Sequence, residues 1–202
     1  MKADIRKNQI MHIAKAVFAR HGYHQTNIAM ICSQAGIGRG TLYQYFKNKY
    51  DVFEALVGSI LDQIKEVLAY TLDPYIRKDQ YIDFQRKRLG MIFKLFYSER
   101  DFARVAFRVS NEFPILREQI DRLIIVSMTQ EMDIARKMGF LRPDIDPEIA
   151  ATKISGGLEK IIMNYLLDRK KIANQQQIYD LIDNFLSIEF YGILSQGSLD
   201  VP

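Results

Sequence analysis

One cysteine, one acidic residue in the first fifty positions and no long apolar run are what this 202-residue chain has least of. The lone Cys32 excludes an internal disulfide and fits a reducing, cytoplasmic setting. Without a run of about 18 apolar residues no bilayer span is expected, so a membrane is not among the expected partners. The N-terminal stretch MKADIRKNQIMHIAKAVFARHGY mixes charges with apolar residues at helical spacing. It has no small-residue cleavage site, so it reads as a helix and not as a signal peptide. Three histidines, His12, His21 and His24, with a single cysteine make a poor zinc site. A nucleophile elbow, paired catalytic acids and a dinucleotide fingerprint are also missing. The expectation is a protein that is not an enzyme and needs no cofactor or metal.

The shortage of acid near the N-terminus leaves a strong asymmetry. Eight basic residues (Lys2, Arg6, Lys7, Lys15, Arg20, Arg39, Lys47 and Lys49) face Asp4 alone in residues 1–50. The remainder holds more acids than bases, although the chain as a whole carries +4. A basic head on a mildly acidic body points to a polyanionic partner.

Apolar periodicity is helical almost throughout, and no strand pattern stands out. Ile5, Ile10, Ile13, Ala14, Val17 and Phe18 mark a first amphipathic helix, with Gly22 as its stop. Thr26 and Asn27 suit the N-cap of a short second helix over roughly 27–34. Gly36 closes it, and a third helix is predicted from near Gly38 to about Phe46. A longer helix follows over roughly 49–71, striped by Val52, Phe53, Leu56, Ile60, Ile64, Val67 and Leu68, before Asp73-Pro74 breaks it. Further stripes cover about 79–97, 101–110, 114–138, 147–168 and 175–195, with prolines at boundaries. The predicted class is all-α, about nine helices, with a small three-helix head and a larger helical body.

The stretch AGIGRGTLYQYFKNK (35–49) is the most informative. A phosphate-cradling loop would need a preceding strand and a lysine directly after its last glycine, and it has neither. Two short helices about a tight turn at Ala35-Gly36-Ile37 instead make a helix-turn-helix. Cys32 supplies a small residue at the crossing, and Gly36 suits the left-handed turn position. Ile31, Ile37, Leu42 and Phe46 would fill the wedge behind the helices. That leaves Gly40, Thr41 and Gln44 facing outward, flanked by Arg39, Tyr43 and Tyr45.

These residues resemble the DNA-binding head of the TetR/AcrR family of bacterial repressors. The likeness rests on Arg6…Ile10, Ala14…Phe18, HGYHQTN, ICSQAGI and GRGTLYQYFKNK, about a quarter of the chain. Cys32 stands where alanine is common in that family, and Gly38 where Ser or Thr usually caps the recognition helix. The resemblance implies a DNA-binding domain over 1–48 and a ligand-binding and dimerisation domain over 49–202. It also implies a repressor of an operator that a small molecule releases; a protein-interaction module on the same fold, such as a coactivator, is the alternative.

Groove chemistry then assigns roles. Arg39 can donate two hydrogen bonds to a guanine edge, Gly40 lets the backbone approach the bases, and Tyr43 can pack on a thymine methyl or donate to a phosphate. Thr26, Asn27, Thr41, Gln44, Tyr45 and Lys49 suit phosphate contacts, which position the head. One head spans half a turn of major groove, so a homodimer on a palindromic double-stranded operator is expected. Apolar residues from Ile149 to Leu167, around Gly156-Gly157, and from Ile178 to Leu194 are the candidate interface. A helix apolar all round is buried either in a four-helix dimer bundle or inside the monomer.

For a hydrophobic effector, the body offers Met91, Phe107, Ser127, Met128, Glu131 and Asn164 as candidate pocket residues. Ser127 and Glu131 interrupt the apolar face of the 114–138 helix, and buried polar groups require partners. Glu131 either lines a mixed pocket or pairs with Arg88 or Arg104.

Overall fold

The computed structural model describes residues 2–70, 73, 75–167, 172 and 174–191. Among them are nine α-helices and no strand. The first, α1 (Lys2–Gln25), buries Ile10, Ala14, Val17 and Phe18 but leaves Ile5 exposed, so its packed stripe begins one turn later than the pattern suggested. Gly22 takes φ 76° and interrupts the helix where it was expected to stop.

The next two helices form the compact turn. In α2 (Ile28–Ala35) the Asn27 side chain accepts from the Met30 amide at 3.0 Å and so caps the N-terminus. At the other end Gly36 sits in the left-handed region with φ 63°. Its N–H reaches Ser33, and the Ile37 N–H reaches the Cys32 carbonyl at 3.1 Å, the paired bonds of a Schellman closure. Then α3 (Arg39–Tyr43) begins after Gly38, which offers no side-chain cap. Regular helix ends sooner than predicted, but amide bonds of Tyr45 and Phe46 to the Leu42 carbonyl carry the turn on to Phe46.

Asn48 caps α4 (Lys49–Leu68) by accepting from the Asp51 amide, while Asp51 accepts from the Lys47 amide. The stripe from Val52 to Val67 is buried as its spacing required. The body continues with α5 (Lys78–Ser98), α6 (Arg100–Val109), a 3₁₀ turn (Ser110–Glu112), α7 (Pro114–Lys137) and α8 (Pro147–Ile161). Asp146 caps α8 through the amides of Glu148 and Ile149, with Pro147 in the first turn, where its missing N–H costs nothing. A π-helical turn (Ile162–Leu166) extends α8, and α9 (Gln175–Tyr191) ends the described chain.

One apolar core runs from α1–α3 through α4 into α5, α6 and α9. Head and body therefore share a core, with α4 as the common member. An ion pair of Lys15 with Glu99 at 2.9 Å and a contact of His24 Nε2 with Glu112 at 3.0 Å add to this junction. In α9, Ile178, Ile182, Phe185 and Leu186 are buried within the subunit, which accounts for much of that helix's apolar circumference. Gly157 lies against it, where an added Cβ would touch the Phe185 ring at 3.8 Å. Ile193 and Leu194, also assigned to the interface, lie outside the described residues.

Candidate nucleic-acid interface and ligand cavity

Leu42 and Phe46, 0% and 2% exposed, are the inward anchors of α3. With these two buried, helical geometry turns Arg39, Gly40, Tyr43 and Gln44 outward, and all four are exposed. Tyr43 is 52% exposed, a large aromatic face without cover on a helix otherwise fixed by its core. Nothing lies within 4 Å of a Cβ added to Gly40, so a bare stretch of backbone faces solvent beside Arg39. Thr41 and Tyr45 are half-buried at the edges of this face.

Two residues assigned to phosphate contacts are used otherwise. Thr26 is buried, and its hydroxyl donates to the Gly22 carbonyl at 2.7 Å, holding the bend between α1 and α2. Lys49 donates to the carbonyls of Tyr23 and His24 at 2.8 and 3.3 Å and lies over the Tyr23 ring. Its ammonium satisfies the carbonyl end of α1. Asn27 stays at the surface, although its carbonyl oxygen is committed to capping α2.

Inside the body, α4 to α8 enclose a cavity of about 450 Å³, within the usual range for small-molecule sites. Its wall is predominantly apolar, with Val57, Ile60, Ile64, Ile92, Ile120 and Ile124 among its contributors. Of the predicted pocket residues, Phe107 and Met128 line it. Met91 is 39% exposed on α5, and Asn164 is exposed on the π turn, so neither faces the cavity. Ser127 also lies off the wall, one position short of Met128 on α7. Glu131 sits behind the wall and pairs with Arg88, which does line it; Arg104 instead donates to the Leu167 carbonyl and closes the π turn.

Two guanidinium groups interrupt the apolar wall. Arg117 donates from Nε to Asp121 at 2.8 Å and from both terminal nitrogens to Glu159 at 3.0 and 2.5 Å. This fork ties α7 to α8, and bonding to Glu159 holds the Arg117 pKa above its ordinary value. Arg88 pairs with Glu131 and donates to Gln85 at 3.0 Å, while Gln85 donates to Glu131 at 2.6 Å. Burial lowers the Arg88 pKa to about 10, which still leaves it protonated at neutral pH. Sequence reasoning missed Arg117 and Glu159 because their separation of 42 positions hides the pairing. It also treated the α4 stripe as packing, since periodicity does not tell a cavity wall from a solid core.

The end of the cavity nearest the head is aromatic. Phe53 and Phe113 belong to the wall, and their rings lie 4.8 and 5.1 Å from the Tyr23 ring at the end of α1. Phe18 and Phe102 join the same cluster through Phe53. The cavity wall therefore touches the end of α1, at the base of the helix-turn-helix, through ring contacts. Among the described residues no group of His, Cys, Asp and Glu could hold a metal, and no helix is long and apolar enough to cross a membrane.

An exposed recognition helix set by buried anchors, joined through one core to a cavity-bearing helical body, defines a DNA-binding regulator. Residues 10–56 match the family model described as bacterial regulatory proteins of the tetR family. Across 187 residues the chain is 22% identical to the uncharacterized HTH-type transcriptional regulator YhgD of Bacillus subtilis, covering 86% of this chain and 94% of that one. SmeT, the repressor of the Stenotrophomonas maltophilia multidrug efflux pump SmeDEF, superposes with TM-score 0.74 at 23% identity over 95% of this chain and 91% of its own. Bacillus subtilis FadR, solved in complex with stearoyl-CoA, superposes with TM-score 0.72 at 20% identity over 92% and 98%. Over residues 10–56 the chain matches the tetR family of bacterial regulatory proteins, and over the rest its likeness to these solved regulators is one of fold.

Proposed function

We propose that this regulator is a cytoplasmic repressor that grips a palindromic operator as a homodimer and releases it when a long, largely apolar effector fills the body. Residues 1–48 serve as the DNA-binding unit and residues 49–202 as the ligand-binding and dimerisation unit. The observation that carries the reading is the cavity wall: α4, which starts at the head, forms one side of the 450 Å³ space. Filling that space displaces α4, changes the separation of the two heads, and moves them out of step with successive major grooves. Long-chain acyl compounds are the first class to test, because the FadR neighbour was solved with stearoyl-CoA.

On the DNA side, Arg39, Gly40 and Tyr43 meet base edges, while Asn27, Thr41, Gln44 and Tyr45 meet the backbone. Dimerisation uses the outer faces of α8 and α9, where Ile149 and Tyr165 are 71% and 45% exposed and Tyr179 and Ile188 are 38% and 41% exposed. Selection of genomic fragments by the purified protein, followed by footprinting, tests this reading. Two half-sites are expected, their centres about 10 base pairs or a multiple apart, with an affinity that falls steeply as salt rises. A shallow salt slope and no sequence preference would instead support the coactivator-like alternative.

A further inference from the structure

The two arginines on the cavity wall are satisfied to different degrees. Arg117 holds two carboxylates with three N–H bonds and spends its fork on joining α7 to α8. Arg88 has one carboxylate, Glu131, and one amide oxygen, Gln85. A guanidinium offers five donors in a fixed plane, so among the described residues Arg88 keeps capacity for a second carboxylate. Arg117 shows, in the same wall, that a guanidinium here takes two.

The position of Arg88 matters as much as its bonding. Its side chain is 11% exposed, and that of Glu131 is 14% exposed. Along α7, about 21 Å separates Arg117 from Glu131 at 1.5 Å per residue. The stacked rings of Tyr70 and Phe84 place the Arg88 region beside the C-terminal end of α4, remote from the head. Between the two polar ends the wall is mainly apolar, broken by the hydroxyls of Thr152 and Ser155 on α8. The Arg117 end is wetter, with the Asp121 side chain 49% exposed, and it carries two carboxylates for one guanidinium. It therefore repels an acidic group and favours the opposite orientation.

We infer that Arg88 is the anchor for the acidic head of the effector, and that the effector is a free long-chain carboxylic acid whose carboxylate is held at the buried end. This rests on the reading that the cavity is the effector site. A bulky polyanionic thioester does not match it: its chain terminus would press on a buried ion pair and its phosphates would meet the acidic end. A neutral lipid would leave the spare donors of Arg88 without a partner.

Calorimetric titration of the full chain with dodecanoate, dodecanol and dodecanoyl-CoA tests this. Dodecanoate is expected to bind roughly tenfold or more tighter than dodecanol, as a charge-assisted hydrogen bond implies. In the double variant Arg88→Met/Glu131→Gln, which removes both charges together, that preference disappears and the acid binds no tighter than the alcohol. Arg88→Lys keeps part of the preference, so the test survives if the double variant does not fold. Equal binding of acid and alcohol, tighter binding of the thioester than of the acid, or a preference retained in the double variant overturns the anchor and leaves the cavity reading intact. If none of the three ligands binds, the anchor fails together with the cavity reading.

Discussion

Truncating Phe53 to alanine lowers the free energy of unfolding by about 3–5 kcal/mol, the usual cost of removing a buried phenylalanine ring. Phe53 is 1% exposed and touches the rings of Phe18, Tyr23, Phe102 and Phe113 at centroid distances of 4.8 to 5.6 Å. Its ring thereby joins α1, α4, α6 and the residue that precedes α7. The loss combines the transfer of a large apolar side chain with a void that merges into the existing cavity. Denaturant unfolding reads it as a lower midpoint at unchanged slope. Ile134→Ala is the control, because Ile134 is 48% exposed and should shift stability by no more than about 0.5 kcal/mol. If both variants lose equally little, the ring cluster is not what fastens head to body.

Arg39→Ala produces the second large effect, and it falls on recognition alone. A bidentate guanine contact contributes about 1–3 kcal/mol of discrimination. A dimer would lose that amount in each half-site, and distant sites add. Operator affinity is expected to drop by about 2–6 kcal/mol, while binding to unrelated DNA falls far less. Folding should be unchanged, since Arg39 is exposed and the anchoring of α3 belongs to Leu42 and Phe46. Competition binding with operator and random duplexes measures the ratio. Equal losses on both duplexes would make Arg39 a phosphate contact without a role in reading sequence.

The head was legible because each of its signals is local. Gly36 and Ile37 close α2, Asn27 caps it, and the four-residue spacing of Leu42 and Phe46 orients α3 without help from distant residues. Where tertiary contacts compete, local reading went astray. Lys49 looked like a phosphate ligand, yet the carbonyl end of α1, 25 and 26 positions earlier, claims its ammonium. Thr26 looked like a cap and instead bonds back to Gly22. In the body, helix boundaries followed from prolines and stripes, whereas the cavity did not. A wall residue such as Ile60 and a solid-core residue such as Ile182 carry the same sequence signature. Glu131 was recognisable as a charge on an apolar face, and Arg88 was one of two candidates; only packing decides between them.

The proposed switch couples occupation of the cavity to grip on DNA through α4 and the ring cluster. Operator affinity measured across a titration of a long-chain effector tests it most directly. A fall of about 5–150-fold at saturation is expected, with a matching fall in effector affinity when operator is present, because coupling between sites is reciprocal. An operator affinity that stays constant while the effector demonstrably fills the cavity would contradict it.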